Sequence, residues 1–298
     1  MTRTPSQVRP SIKSGYARVS AESAYPGLWK DLILAHVPEL GFTGGVLPNF
    51  AGEGFGNLEY GGLADGANSK LYRGSQCHLW DTNGESVEIS SQPAEDRNGI
   101  TCMVFYSPLD LTTTGSKQLF NKRDSSNAPR YWQMYHASTA EAFTVQIRFG
   151  GDTGTKTVNA GDNTVSGGDW HQAAFSVTDN QANDDIVLYL NGKVTRTSTM
   201  GSGKVRDVGA NQVMIGQAWS GSFNSQSYIK SCFQWNRVLN IAEVKLLNAD
   251  SLALFRPRRQ VMFAAPTEAA AAAYHIYLSM LETGRFGINN GQLGVRES

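Results

Sequence analysis

The chain has 298 residues, 40% of them hydrophobic and 10% aromatic, enough to fill one large domain and leave extensions at its ends. Its 26 lysines and arginines balance 26 aspartates and glutamates, so no global field draws it to nucleic acid or to an acidic membrane. No run reaches the roughly 18 apolar residues of a membrane span, and the opening residues lack the apolar stretch of a secretory signal, so none is expected.

Residues 1–28 are polar, carry Pro5, Pro10 and Pro26, and show no period. They are expected to form an arm, pinned by neighbouring chains or folded back on the domain that follows. From Trp29 to Val238 the signal is alternation. In Phe143–Phe149 apolar and polar residues trade places one by one, which directs Thr144, Gln146 and Arg148 away from the core. Further strands are expected at 31–36, 76–80, 86–90, 100–106, 130–136, 170–177, 185–190, 194–198, 212–216 and 228–235, joined by turns with Gly-Gly, Asp-Asn and Asn-Gly pairs. Asn191-Gly192 supplies the two positive φ angles of a type I′ hairpin. Asn240 is placed to cap a short amphipathic helix over 240–247. Ser251–Pro266 reads as a basic-then-apolar extended segment, and the alanine-rich stretch 267–281 as a second helix. Residues 282–298 are glycine-rich and polar. These elements predict an all-β antiparallel sandwich, a jelly roll over 29–248, with an N-terminal arm (1–28) and a partly helical C-terminal extension (249–298).

Three blocks carry a resemblance. Trp170–Val177 followed by Ile186–Lys193, then Val213–Gln217, then Trp235–Leu239 ahead of Ile241–Val244, resemble in order and spacing the laminin-G/concanavalin-A-like domain. They match its Trp-His strand, its Leu-Tyr-Leu-Asn-Gly hairpin, its apolar-Ile-Gly strand, and its last strand with closing helix. Asp250–Val261 resembles the tail that follows such domains in many bacteriophage proteins. The resemblance implies a non-enzymatic structural protein on the virion exterior, as head decoration or as a neck, tail or fibre component. It would be made in the host cytoplasm and assemble with other virion proteins and with copies of itself. The alternative is a carbohydrate-binding adhesin that attaches to host surface glycans. A polysaccharide hydrolase ranks last.

Hydrolysis needs two carboxyl groups roughly 5–9.5 Å apart. Glucanases of this fold carry them as Glu-x-Asp-x-x-Glu, a run absent here; Glu85 and Glu88 would face opposite sides of a strand. No catalytic residue is therefore assigned, and His171 reads as structural. Calcium is the one cofactor for which candidate ligands exist: Asp81 and Asn83 in one turn, Asp184 and Asp185 in another. Sugar faces stack on aromatic rings, which singles out Trp219 and Phe223 in the Gly/Ser-rich loop 218–226, and Tyr131 and Tyr135 on a strand whose Trp132 faces the other way. Arg256, Arg258 and Arg259, with Tyr274 and Tyr277, are candidate assembly contacts. No membrane and no direct nucleic-acid contact is expected. Cys77, Cys102 and Cys232, without a CxxC pair, read as buried free thiols.

Overall fold

The computed structural model describes residues 15–41, 49–51, 59–61, 69–80, 86–89, 99–109, 116–123, 132–137, 141–148, 155–178, 185–199, 212–216, 226–258, 286–289 and 292–295. Its strands are β1 (Leu32–His36), β2 (Glu59–Gly61), β3 (Ser69–Tyr72), β4 (Ser75–Trp80), β5 (Ser86–Ile89), β6 (Ile100–Pro108), β7 (Ser116–Arg123), β8 (Trp132–Ala137) and β9 (Ala142–Arg148). They continue with β10 (Thr155–Asn159), β11 (His171–Val177), β12 (Asp185–Leu190), β13 (Lys193–Thr199), β14 (Gln212–Ile215) and β15 (Ser227–Trp235), ahead of the helix α1 (Ile241–Ala249). The chain divides into two units. The first, through Arg258, is an antiparallel β-sandwich. The second holds one described hairpin, β16 (Phe286–Asn289) with β17 (Gln292–Val295).

One sheet of the sandwich runs β13-β12-β11-β6-β15-β4-β3, with β1 also paired to β15; the other runs β10-β9-β8-β7-β14-β5-β2. Their facing sides close on a core that includes Cys102, Val104, Phe175 and Leu188 from the first sheet and Phe120, Trp132, Met134, Phe143 and Val145 from the second. The alternation of β9 is borne out: Phe143, Val145 and Ile147 point into this core. Asn191 and Gly192 both take positive φ, as a type I′ turn requires.

Four strands of the first unit, β2, β3, β7 and β10, escape the alternation rule. β7 carries a bulge between Gln118 and Phe120, and its Lys122 faces inward in register with Trp132 and Val213, fully buried. A lysine at a core position and an extra residue in the ladder erase the period-two signal. β10 contributes a single residue, Val158, to the core strands' inner face.

The first sheet is apolar on both faces. β6 and β11 are buried along their whole lengths, and a second cluster forms outside them from Met103, Phe105, Phe233 and Trp235 with Leu28, Leu32, Val244, Leu247, Leu252, Leu254 and Phe255. The cover comes from both ends of the unit. Ala17 N donates to the Phe255 carbonyl (2.8 Å), Ser23 Oγ and Trp29 Nε1 both donate to the Leu254 carbonyl (2.7 and 2.8 Å), and Trp235 Nε1 donates to the Leu28 carbonyl (2.7 Å). From Gly15 onward the segment expected as an arm is thus laid against its own sandwich, because the outer apolar face has to leave water.

The family-like block 235–244 has a physical task in this cover. The Asn240 side chain accepts from Glu243 N (3.0 Å) and the Glu243 carboxylate accepts from Asn240 N (2.9 Å), a reciprocal capping box at the start of α1. The Arg237 guanidinium grips the same carboxylate (2.7 and 2.9 Å) and donates to the carbonyls of Gly27 and Lys30. One arginine thereby ties the N-terminal cover to the helix.

Phe255 is fully buried, edge-on to Trp29 (5.5 Å) and Phe50 (5.9 Å). Phe255→Ala should cost about 3–5 kcal/mol by chemical denaturation, whereas Val194→Ala, on the exposed strand β13, should leave the midpoint in place. Equal effects would mean that the second cluster does not hold the fold.

Three buried histidines give a further expectation. The rings of His36 and His78 lie 5.1 Å apart, sealed from solvent. Burial lowers His36 to about 3 and His136 to about 4, and lowers His78 as well. An unfolded histidine titrates near 6.5, so below that pH the unfolded chain takes up protons that the folded chain refuses. Stability should be complete above pH 6.5 and fall by roughly 1.4 kcal/mol per pH unit for each histidine as pH drops toward the folded values. Urea midpoints that coincide at pH 7.5 and pH 5 would refute this.

Candidate functional site

The cover does not extend over the whole outer face of the first sheet. Beyond it, at the end where β15 begins, strand alternation and register set Tyr228 on that face, level with Ser107 of β6 and Leu79 of β4. Tyr72 lies at the tip of the β3–β4 hairpin, whose two-residue turn, Arg73-Gly74, has positive φ at both positions. Trp170 comes from the loop entering β11. The three side chains are half-buried and touch: Tyr72 and Tyr228 stack with centroids 3.9 Å apart, and Trp170 meets Tyr72 edge-on at 5.8 Å.

Polar groups converge on the same rings. The Tyr72 hydroxyl donates to the Gly168 carbonyl (3.0 Å), and the Arg73 guanidinium lies 5.7 Å from the Tyr72 ring centre. Arg73 Nη1 donates to Asp169 Oδ1 (2.8 Å), and Ser166 Oγ donates to Asp169 Oδ2 (2.8 Å). The hydrogen bond from Arg73, then that from Ser166, holds the Asp169 carboxyl below the usual carboxylate range. Both charged side chains are about half exposed, 52% for Arg73 and 57% for Asp169, so a ligand can reach them. His171 anchors the loop from beneath. Its Nε2 lies 3.2 Å from the Ser166 amide nitrogen and 3.0 Å from the Ser166 carbonyl oxygen, and its Nδ1 lies 3.3 Å from the Asn191 side-chain nitrogen.

What this assembly can do chemically is bind. It offers aromatic faces, one guanidinium, one carboxylate and a hydroxyl. The carboxylate is held ionised between two donors, the opposite of what a general acid requires. Among the described residues no three histidines, cysteines or carboxylates gather as a metal would need.

Of the site residues expected from sequence, four lie in the described part: Tyr135, Asp185, Arg256 and Arg258. Tyr135 is half-buried on the outer face of the second sheet, in register with Gln118 and Thr144. That face is polar: Gln133 Nε2 donates to Gln146 Oε1, and Gln146 Nε2 to Thr157 Oγ1 (3.4 Å). Gln118, Asn121, Gln133 and Thr144 are nevertheless buried there. Asp185 Oδ1 accepts from Thr199 Oγ1 (3.0 Å) across the β12–β13 ladder. Arg256 is paired with Asp250 of its own chain (2.6 Å), and Arg258 N donates to the Glu22 carbonyl (2.6 Å). Trp219, Phe223, Tyr131, Asp81, Asn83, Asp184, Arg259, Tyr274 and Tyr277 lie outside the described residues. Cys77, Cys102 and Cys232 are buried free thiols, and burial raises Cys77 to about 11. Tyr72 and Tyr228 were not singled out from sequence. The available signal was two short runs, 69–72 and 75–80, separated by two residues that include a glycine.

A family described as the concanavalin A-like lectin/glucanases superfamily matches residues 81–245. No curated protein matches the chain. Among solved structures, the receptor binding domain of botulinum neurotoxin C/D mosaic serotype is similar over 74% of this chain and 51% of its own, with TM-score 0.56 and 8% identity. The binding domain of Paraclostridial Mosquitocidal Protein 1 aligns over 74% of this chain and 52% of its own, with TM-score 0.53 and 14% identity. The binding domain of botulinum neurotoxin DC in complex with SialylT aligns over 76% and 52%, with TM-score 0.54 and 10% identity. The chain spans about half the length of these structures, and what the likeness establishes is the sandwich.

Gly168 connects the ring cluster to the Asp169 loop. Its φ of +76° lies in the left-handed region, while an added Cβ would meet only ordinary contacts at 3.6 and 3.8 Å. Gly168→Ala should therefore cost about 1–2 kcal/mol through backbone strain alone. A melting curve superimposable on that of the parent would show that the loop can take another path.

Proposed function

This chain belongs to the concanavalin A-like lectin/glucanases superfamily, and from that premise we propose that it is a non-catalytic attachment module that binds a glycan at the Tyr72–Trp170–Tyr228 rim. The observation that carries the reading is the rim itself: Tyr72 packed against both Tyr228 and Trp170, all three half-buried, beside a solvent-accessible Arg73–Asp169 pair. Sugar rings present apolar C–H faces that stack on aromatic rings, and hydroxyl edges that need a donor and an acceptor together. Both are present within one loop and one hairpin tip. The similar solved structures include binding domains, one of them in complex with SialylT, which agrees in kind with a receptor-binding role. No step of bond cleavage is assigned, because the carboxylate of the rim is committed to two donors.

Display on a bacteriophage particle, with other virion proteins and further copies as partners, is the finer proposal of where such a module works. It rests on the resemblance of Asp250–Val261 to phage tails. Leu252, Leu254 and Phe255 of that motif are buried in the sandwich's own second cluster, so the motif has a reason to exist within the domain. The attachment reading is accordingly the stronger one.

Glycan-array and calorimetric binding test it. Tyr72→Ala and Tyr228→Ala should each weaken the best glycan by roughly two- to ten-fold, the size of one aromatic contact. Unchanged affinity in both variants, with the same loss in Trp219→Ala, would move the site to the 218–226 loop.

A further inference from the structure

Resting on the glycan reading of the rim, we propose that its preferred ligand is an anionic sugar, one carrying a carboxylate or a sulfate, with the acidic group held by Lys70 and Lys230. Strand geometry motivates this. Lys70 precedes Tyr72 by two residues on β3, and Lys230 follows Tyr228 by two on β15. On β3 residues two apart share a face, roughly 6–7 Å along the strand, which sets Lys70 beside Tyr72. Lys230 is the extra residue of the β15 bulge between Ile229 and Ser231, and its place is given by Cys77. Both also border Cys77: Lys70 is its direct partner in the β3–β4 ladder, and the charge of Lys230 acts on its thiol. Lys70 is exposed and Lys230 half-exposed.

The charge balance of the strip decides the ligand class. Arg73 is matched by Asp169 at 2.8 Å, so that pair contributes little net field. Among the described residues neither Lys70 nor Lys230 has an ion-pair partner. Among the described residues the strip thus carries two positive charges without an acidic partner, beside three aromatic rings, on a chain whose total charge is zero. A neutral sugar uses the rings and the Arg73–Asp169 pair and leaves the lysines idle. An anionic sugar uses all of them, since a charge-assisted contact is stronger than a neutral one. Asp169 has a definite part in this: it masks Arg73 and keeps the acidic group directed toward the lysines.

The experiment measures the full chain against matched probes, 3′-sialyllactose with lactose and a sulfated galactose oligosaccharide with its unsulfated parent. The acidic member of at least one pair should bind about ten-fold tighter. That advantage should shrink as sodium chloride rises from about 0.05 to about 0.5 M. Lys70→Met with Lys230→Met should bring the acidic-to-neutral ratio close to one, while Asp169→Asn, which unmasks Arg73, should raise it. Circular dichroism of each variant checks that the fold is kept. Which pair responds separates carboxylate from sulfate recognition. Equal binding of both members of each pair, or a preference indifferent to salt and to the lysines, overturns the anionic assignment and leaves the glycan reading standing. Failure of every member of both pairs to bind removes the glycan reading along with it.

Discussion

The first sheet of this sandwich is apolar on both of its faces, and most of the architecture follows from that constraint. A sheet with one wet face would need only a partner sheet. Here β6 and β11 are buried throughout, so the outer face needs its own cover. The chain makes it from residues on either side of the β-sandwich in sequence. Leu28 comes from before it, Leu32 from the start of its first strand, and Val244, Leu247, Leu252, Leu254 and Phe255 from after it. Hydrogen bonds from Ala17, Ser23 and Trp29 to the backbone of 254–255 fix the two parts to each other. Closing the outer layer is a long-range event, since the groups it joins stand more than two hundred positions apart.

The cover also determines where a partner can be met. The outer face of the first sheet is aromatic for much of its length, with Phe105, Phe233 and Trp235 beneath the cover and Tyr228, Tyr72 and Trp170 beyond it. The change from phenylalanine to tyrosine follows the change from dry to wet, because a phenol keeps its hydroxyl hydrogen-bonded while its ring packs. The opposite sheet shows water a polar face of amides and hydroxyls, yet their centres are buried.

Legibility from sequence tracked how local each feature is. The hairpin at Asn191-Gly192 and the helix start at Asn240 were readable because a turn type and a capping box are decided within four residues. β9 was readable because its inner and outer residues meet different media. β7 was not, because Lys122 occupies a core position and the bulge at Gln118–Phe120 shifts the period. The hairpin at 286–295 carried its signal in Asn290-Gly291, outweighed by the glycines around it. The rim was the hardest to foresee. Tyr72, Trp170 and Tyr228 belong to three separate elements, and no spacing rule brings them together. Of the aromatics chosen from sequence, Tyr135 does sit on an outer face, in register with Gln118 and Thr144.

Catalysis and binding on this fold differ in what the rim does with its carboxylate. A hydrolytic site keeps one carboxyl group proton-bearing, in apolar surroundings, with a second opposite it. Asp169 is in the reverse situation, ionised and gripped by Arg73 and Ser166, with its loop pinned through His171 to the Asn191 turn. Those contacts remove the freedom to exchange a proton and give in return a fixed acceptor beside a fixed donor. Rigidity of that sort lowers the entropic cost of capturing a flexible ligand. The same Asn191 closes the β12–β13 hairpin, and the backbone amide of the next residue, Gly192, donates to Gln172, whose side chain also reaches the helix carbonyl of Val244. The rim is therefore braced through two turns against the helix that covers the sheet, and the apolar constraint that built the cover also stiffens the place where a ligand would sit.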